Sequence, residues 1–68
     1  GMTTKDRRKW LEAMRRRGHK PVLDEDGNLD IFANASYGHN GPACSVCGWK
    51  TCWHCTDVKA IPTCEARK

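Results

Sequence analysis

The sequence predicts a small α+β fold: an N-terminal basic helix, a short β-hairpin and a cysteine-rich lobe. Three observations predict it. Apolar residues recur at helical spacing over residues 5–17 between capping signals. Two short apolar runs flank a turn-forming segment at 24–28. Four of the five cysteines fall between Cys44 and Cys55. With 68 residues the chain makes one domain: basic helix in 2–20, hairpin and loop in 21–36, Cys/His-rich lobe in 37–64 and a polar tail at 65–68. A chain of about 60 residues buries a small share of its surface and usually recruits a metal, disulfides or a partner.

The helix is predicted over residues 5–17. Thr3 or Thr4 can cap its free N–H groups, and Asp6 in the first turn complements the dipole. Arg15, Arg16 and Arg17 crowd the last turn, and Gly18 suits the position after the C-cap. Trp10, Ala13 and Met14 share one face, with Leu11 at its edge. Pro21 then biases Lys20 to extended geometry.

The hairpin is expected from Val22-Leu23 and Leu29-Asp30-Ile31-Phe32 around Asp24-Glu25-Asp26-Gly27-Asn28, with Gly27 at positive φ. Residues 33–42, rich in Gly, Asn and Ser, read as a loop. Val58–Ala60 reads as a short strand or one helical turn ended by Pro62. The candidate core is Trp10, Leu11, Met14, Val22, Leu23, Leu29, Ile31, Phe32, Tyr37, Val46, Trp49, Trp53, Val58 and Ile61.

The chemistry concentrates in Cys44-Ser45-Val46-Cys47-Gly48-Trp49-Lys50-Thr51-Cys52-Trp53-His54-Cys55. Two residues between thiolates let both sulfurs face one point while backbone N–H groups of the turn point at them. Gly48 follows Cys47, where a tight or left-handed backbone is needed. Zinc takes four such ligands. The reading adopted is one structural Zn2+, with Cys44 and Cys47 as its first ligands, Cys52 and Cys55 next, and Cys64 and His39 competing for a place. Two ions would require all five cysteines and all three histidines, the remote His19 included. Trp49 and Trp53 would roof the metal; the sharper reading exposes one of them for stacking on a base or a partner side chain.

The run Cys-x2-Cys-Gly-x3-Cys-x2-Cys, Cys44 to Cys55, resembles the central segment of FYVE-type and related treble-clef zinc fingers. In that family the two pairs serve two different zinc ions. The basic-His-His run that binds phosphoinositide there is replaced by Asn40-Gly41-Pro42-Ala43. Cys44, Cys47 and Cys52 also fall at the first three ligand positions of the retroviral-type zinc knuckle, with Cys52 replacing its His and Asp57 at the fourth position, so that Cys55 or Cys64 would have to substitute. The span Tyr37 to Cys64, through His39-Asn40-Gly41-Pro42, Cys44-x2-Cys47-Gly48, Cys52-Trp53-His54-Cys55 and Cys64, is similar to small Cys/His-rich proteins of actinobacterial tailed phages. That resemblance implies a phage accessory protein working in the host cytoplasm.

Competing chemistries share these residues. Cys47-x4-Cys52-x2-Cys55 has plant-type ferredoxin spacing, with Cys64 as a fourth ligand. Cys52-Trp53-His54-Cys55 resembles a redox dithiol, although the chain is too short for a thioredoxin fold. No carboxylate pair, nucleophile–base set or phosphate loop marks an enzyme; a zinc ion with an open, water-bound position would change that expectation.

Charge is uneven. Residues 5–20 hold eight Lys/Arg against two acids, residues 21–43 no Lys/Arg against four acids, and residues 44–68 four Lys/Arg against two acids, giving +6, −4 and +2 within the total of +4. Lys5, Arg7, Arg8, Lys9, Arg15, Arg16, Arg17 and Lys20 are therefore the candidate phosphate contacts for DNA or RNA, with help from Lys50 and Lys59. The alternatives are an adaptor that docks on a host protein, or a helix lying on the chain's own acidic segment from Asp24 to Asp30. Gly1 before Met2 reads as the residue left by tag removal. No run approaches the ~18 apolar residues of a membrane helix, and no signal peptide is recognisable. The expectation is a reducing cytoplasm, where clustered cysteines more often hold metal than form disulfides.

Overall fold

A computed structural model describes residues 3–36 and 39–67; Tyr37, expected in the core, lies outside the described residues. Helix α1 spans Thr4–Arg16. Thr3 is its N-cap. The Thr3 hydroxyl accepts from the Asp6 N–H at 3.1 Å, and the Asp6 carboxylate accepts from the Thr3 N–H at 3.3 Å, completing a reciprocal capping box. At the other end Gly18, at φ 83°, turns the chain left-handed. The Gly18 N–H donates to the Arg15 carbonyl at 3.0 Å and the His19 N–H to the Met14 carbonyl at 3.0 Å. That is the Schellman pair of hydrogen bonds, and it fixes where His19 leaves the helix.

Trp10, Ala13 and Met14 are the buried residues of α1. They pack in one cluster with Leu29, Cys44, Ile61 and Cys64; Leu11, Ile31, Cys47, Trp49, Trp53 and Val58 lie half-buried against it. Cysteines thus occupy core positions. Leu23, Phe32 and Val46, expected inside, are exposed, with Phe32 61 % accessible. Helix, turns and cysteine loops enclose too small an interior to take every apolar side chain.

The short hairpin is present but lies further along the chain than expected. Strands β1 (Asn34–Ser36) and β2 (His39–Gly41) pair antiparallel, with Ala35 opposite Asn40. The segment read as a loop therefore carries the ladder. The expected hairpin around residues 24–28 keeps its turn, with Gly27 at φ 81° and the Asp24 carboxylate accepting from the Asp26 and Asn28 N–H groups at 2.9 and 3.0 Å. Its strands reduce to a single bridge, Leu23 to Leu29, framed by the Asp24 N–H donating to the Asn28 carbonyl at 2.7 Å and the Asp30 N–H to the Val22 carbonyl at 3.0 Å, while the other edge of residues 20–22 pairs with 43–45. The Val22 N–H donates to the Ala43 carbonyl at 2.9 Å and the Ser45 N–H to the Lys20 carbonyl at 2.8 Å. Val58–Ala60 forms a single 3-10 turn capped by Asp57, and Glu65–Arg67 forms another. No helix among the described residues is long and apolar enough to cross a membrane.

Candidate metal centres

Pairing of residues 20–22 with 43–45 brings the exit of α1 against the first Cys-x-x-Cys loop. That loop is a tight hairpin. The Cys44 N–H donates to the Trp49 carbonyl at 2.7 Å, the Gly48 N–H to the Cys44 carbonyl at 3.2 Å, and Ala43 bridges Lys50. Gly48 sits at φ 79°, as its place after Cys47 predicts. The turn aims backbone donors at sulfur: Val46 and Cys47 N–H lie 3.4 and 3.5 Å from Cys44 Sγ, and Trp49 N–H lies 3.4 Å from Cys47 Sγ. The Cys64 N–H donates to the Arg17 carbonyl at 2.8 Å, so the last cysteine arrives at the same helix end.

The result is a four-donor group: His19, Cys44, Cys47 and Cys64, their ligand atoms all within 4.8 Å of one another. Cys44 Sγ and Cys64 Sγ are 4.0 Å apart, and Cys47 Sγ is 3.5 Å from His19 Nδ1. A zinc ion about 2.3 Å from sulfur and about 2.0 Å from nitrogen in a tetrahedron implies edges of about 3.8 and 3.5 Å. A disulfide would need sulfurs about 2 Å apart, and all five cysteines are free. The fit extends to the outer partners. His19 Nε2 lies 2.7 Å from the Pro62 carbonyl oxygen. A carbonyl only accepts, so Nε2 carries the proton and Nδ1 keeps its lone pair for the cluster. The ring stacks on Trp49 with centroids 5.2 Å apart, and His19 is 3 % exposed. Burial raises the Cys44 pKa, but the N–H groups of Cys47 and Val46 outweigh it, helped by Lys20 and His19; the thiol falls to about 6. Burial pushes the Cys64 thiol up.

The second group contains His39, Cys52 and Cys55, again within 4.8 Å. Strand β2 supplies His39 by running beside residues 51–53: the Thr51 N–H donates to the Pro42 carbonyl at 3.2 Å and the Trp53 N–H to the Asn40 carbonyl at 3.3 Å. Gly41 permits this approach, since any Cβ there would strike the Thr51 carbonyl. Cys55 Sγ lies 3.8 Å from His39 Nδ1. The Cys55 thiol, then the His39 ring, pull the Cys52 pKa down to about 7. Cys55 in turn is pushed up by sharing with Cys52.

The six ligand candidates from the sequence therefore do not converge on one ion. Cys44, Cys47 and Cys64 gather in one group, and Cys52, Cys55 and His39 in the other, because the two Cys-x-x-Cys pairs belong to different turns held by different partners. Cys47 falls in a different group from Cys52 and Cys55, so the three cysteines with ferredoxin-like spacing do not share one single-ion site. His19, left out of the expected ligand set, completes the first group. Its signal was the adjacent Gly18, whose helix-ending geometry dictates where the next side chain goes. His54 stacks on Trp53 with centroids 4.2 Å apart and joins neither group.

The basic residues divide. Lys5, Arg8, Lys9, Arg15, Arg16 and Lys20 are exposed; Arg16 faces Glu12 at 4.0 Å. Arg7 reaches the Asp24 carboxylate at 3.9 Å, a contact with the chain's own acidic segment. Arg17 donates to the Ala13 carbonyl at 3.1 Å and to the Lys59 carbonyl at 3.4 Å.

Fold and site together define a small α+β protein with two Cys/His groups able to hold metal ions. Comparison with protein-family models, curated proteins and solved structures finds no match.

Proposed function

We propose that this chain is a non-enzymatic binding module, stabilised by zinc at His19, Cys44, Cys47 and Cys64, that contacts nucleic acid through the outer face of α1. The carrying observation is that the four-donor group sits at the foot of the basic helix. His19 is the second residue after the helix C-cap, and Cys64 bonds to the Arg17 carbonyl. A metal there would anchor α1, and Lys5, Arg8, Lys9, Arg15 and Arg16 would face away from the buried Trp10/Ala13/Met14 stripe. Sulfur and imidazole donors in a closed set of four favour zinc over oxygen-seeking cations. Zinc would cross-link helix and cysteine loop; the protein's own groups orient the ligands through the N–H···S bonds and the His19–Pro62 contact.

The proposed setting is a reducing host cytoplasm, as an accessory protein of a tailed phage. The experiment is titration of zinc-loaded protein with short single- and double-stranded DNA and RNA across salt concentrations. Binding that weakens steeply with salt supports the reading; no binding at low salt contradicts it. A second reading, an adaptor for a host protein, is favoured by the exposed Phe32 and Val46. It predicts a stoichiometric protein partner and indifference to nucleic acid.

A further inference from the structure

We propose that His39, Cys52 and Cys55 bind a second zinc ion whose fourth coordination position is open to an exogenous donor. This goes beyond the nucleic-acid reading and does not rest on it; an open zinc position of this kind would set aside the non-enzymatic part of that reading.

The donors are two sulfurs and one imidazole nitrogen, a set that favours zinc over oxygen-seeking cations such as magnesium and calcium. They are brought together by two independent constraints. The β1–β2 hairpin is laid against residues 51–53 by main-chain hydrogen bonds and the close approach at Gly41. The Cys52–Cys55 turn is closed by the Cys55 N–H donating to the Cys52 carbonyl at 3.0 Å. His39 and Cys55 are exposed while Cys52 is buried, so an ion held there lies at the surface.

What distinguishes this group from the first is its count. Among the described residues no fourth His, Cys, Asp or Glu joins it. Nearby groups have other partners: Asp57 accepts from the Lys59 N–H at 3.1 Å, the Thr56 hydroxyl pairs with that of Thr51, and His54 stacks on Trp53. Three protein ligands with one position left over is the arrangement in which zinc keeps an exchangeable ligand, whereas closed sets of four are structural. Water fills the position in the free protein, and a nitrogen or sulfur donor from outside can replace it.

The test uses the full chain reconstituted with Zn2+ for native mass spectrometry and with Co2+ for visible absorption. The expected result is two ions per chain in the wild type and one in Cys55→Ser, with the ion at the four-donor group retained. That retained ion reports that the variant is folded. His39→Ala is the second variant and reads the same loss. Added imidazole shifts the Co2+ bands of the wild type and leaves those of Cys55→Ser unchanged. A single ion in the wild type, or two ions surviving in both variants, overturns the site. A wild-type spectrum indifferent to imidazole overturns the open position.

Discussion

His19 Nδ1 lies 3.5 Å from Cys47 Sγ although 28 positions separate the two residues. The Schellman ending of α1 delivers the ring, and the carbonyl of Pro62 holds its other nitrogen at 2.7 Å. A histidine in this position ties helix α1 to the cysteine lobe. The ligand role assigned to it makes the fold and the metal one system.

Removing the metal is therefore expected to unfold the chain. Binding at structural zinc sites of small peptides is worth about 10–16 kcal/mol at neutral pH, more than a domain of this size holds in its core. Chelation should abolish the cooperative melt seen by circular dichroism. His19→Ala and Cys64→Ser should do the same at ordinary zinc concentrations, whereas Cys55→Ser should keep the melt.

Acid should release the ion from the four-donor group, because protons and metal compete for the same lone pairs. With the Cys44 thiol near 6, that residue is already a thiolate at neutral pH and adds no pH dependence above this value. Below it, each pH unit should cost about a further tenfold in affinity from this thiol alone. Competition against a coloured chelator between pH 5 and 8, values chosen about this midpoint, checks for the steepening.

Gly41→Ala should destabilise the protein by about 1–3 kcal/mol, the usual cost of forcing an atom into a packed site. The new methyl would meet the Thr51 carbonyl, a backbone atom with no rotamer to escape into. The loss should be read in a thermal melt. Displacement of β2 should also weaken metal binding at His39 before it weakens the four-donor group.

The N-cap carries a smaller effect. Thr3→Ala should cost about 1 kcal/mol, a drop of roughly 4–8 °C in melting temperature for a chain of this length. The Asp6 carboxyl is held below its ordinary value, first by the Thr3 hydroxyl and then by the Thr3 backbone. The capping box is therefore intact at neutral pH, where the melts should be compared.

If α1 neutralises phosphates, Lys5→Glu, Arg8→Glu and Arg15→Glu should weaken nucleic-acid binding together. Each phosphate left without its cation should lower the slope of log affinity against log salt by about 0.9 on duplex DNA. Arg17→Lys should instead act on stability, since its guanidinium bonds to the Ala13 and Lys59 carbonyls.

Local rules hold well along this chain. Thr3, Asp6 and Gly18 act as the capping residues they resemble, Gly27 and Gly48 take the positive φ expected of them, and Trp10, Ala13 and Met14 form the buried stripe. Tertiary pairing overrides them elsewhere. Asn34–Ser36 and His39–Gly41 have no β-branched residue and read as loop; they are strands because β2 has residues 51–53 to lie against. His19 looks remote in the sequence because nothing local announces that residues 20–22 pair with 43–45. Cysteine spacing alone fits one centre or, as in treble-clef fingers, two, and the separate anchoring of the two turns divides the donors.

The most direct measurement is the long-range 1H–15N correlation spectrum of the histidine rings in zinc-loaded protein. His19 should be locked with its proton on Nε2, and its Nδ1 should show a metal-bound shift that disappears on chelation. A His19 ring that titrates freely and ignores the chelator would contradict its role as a ligand.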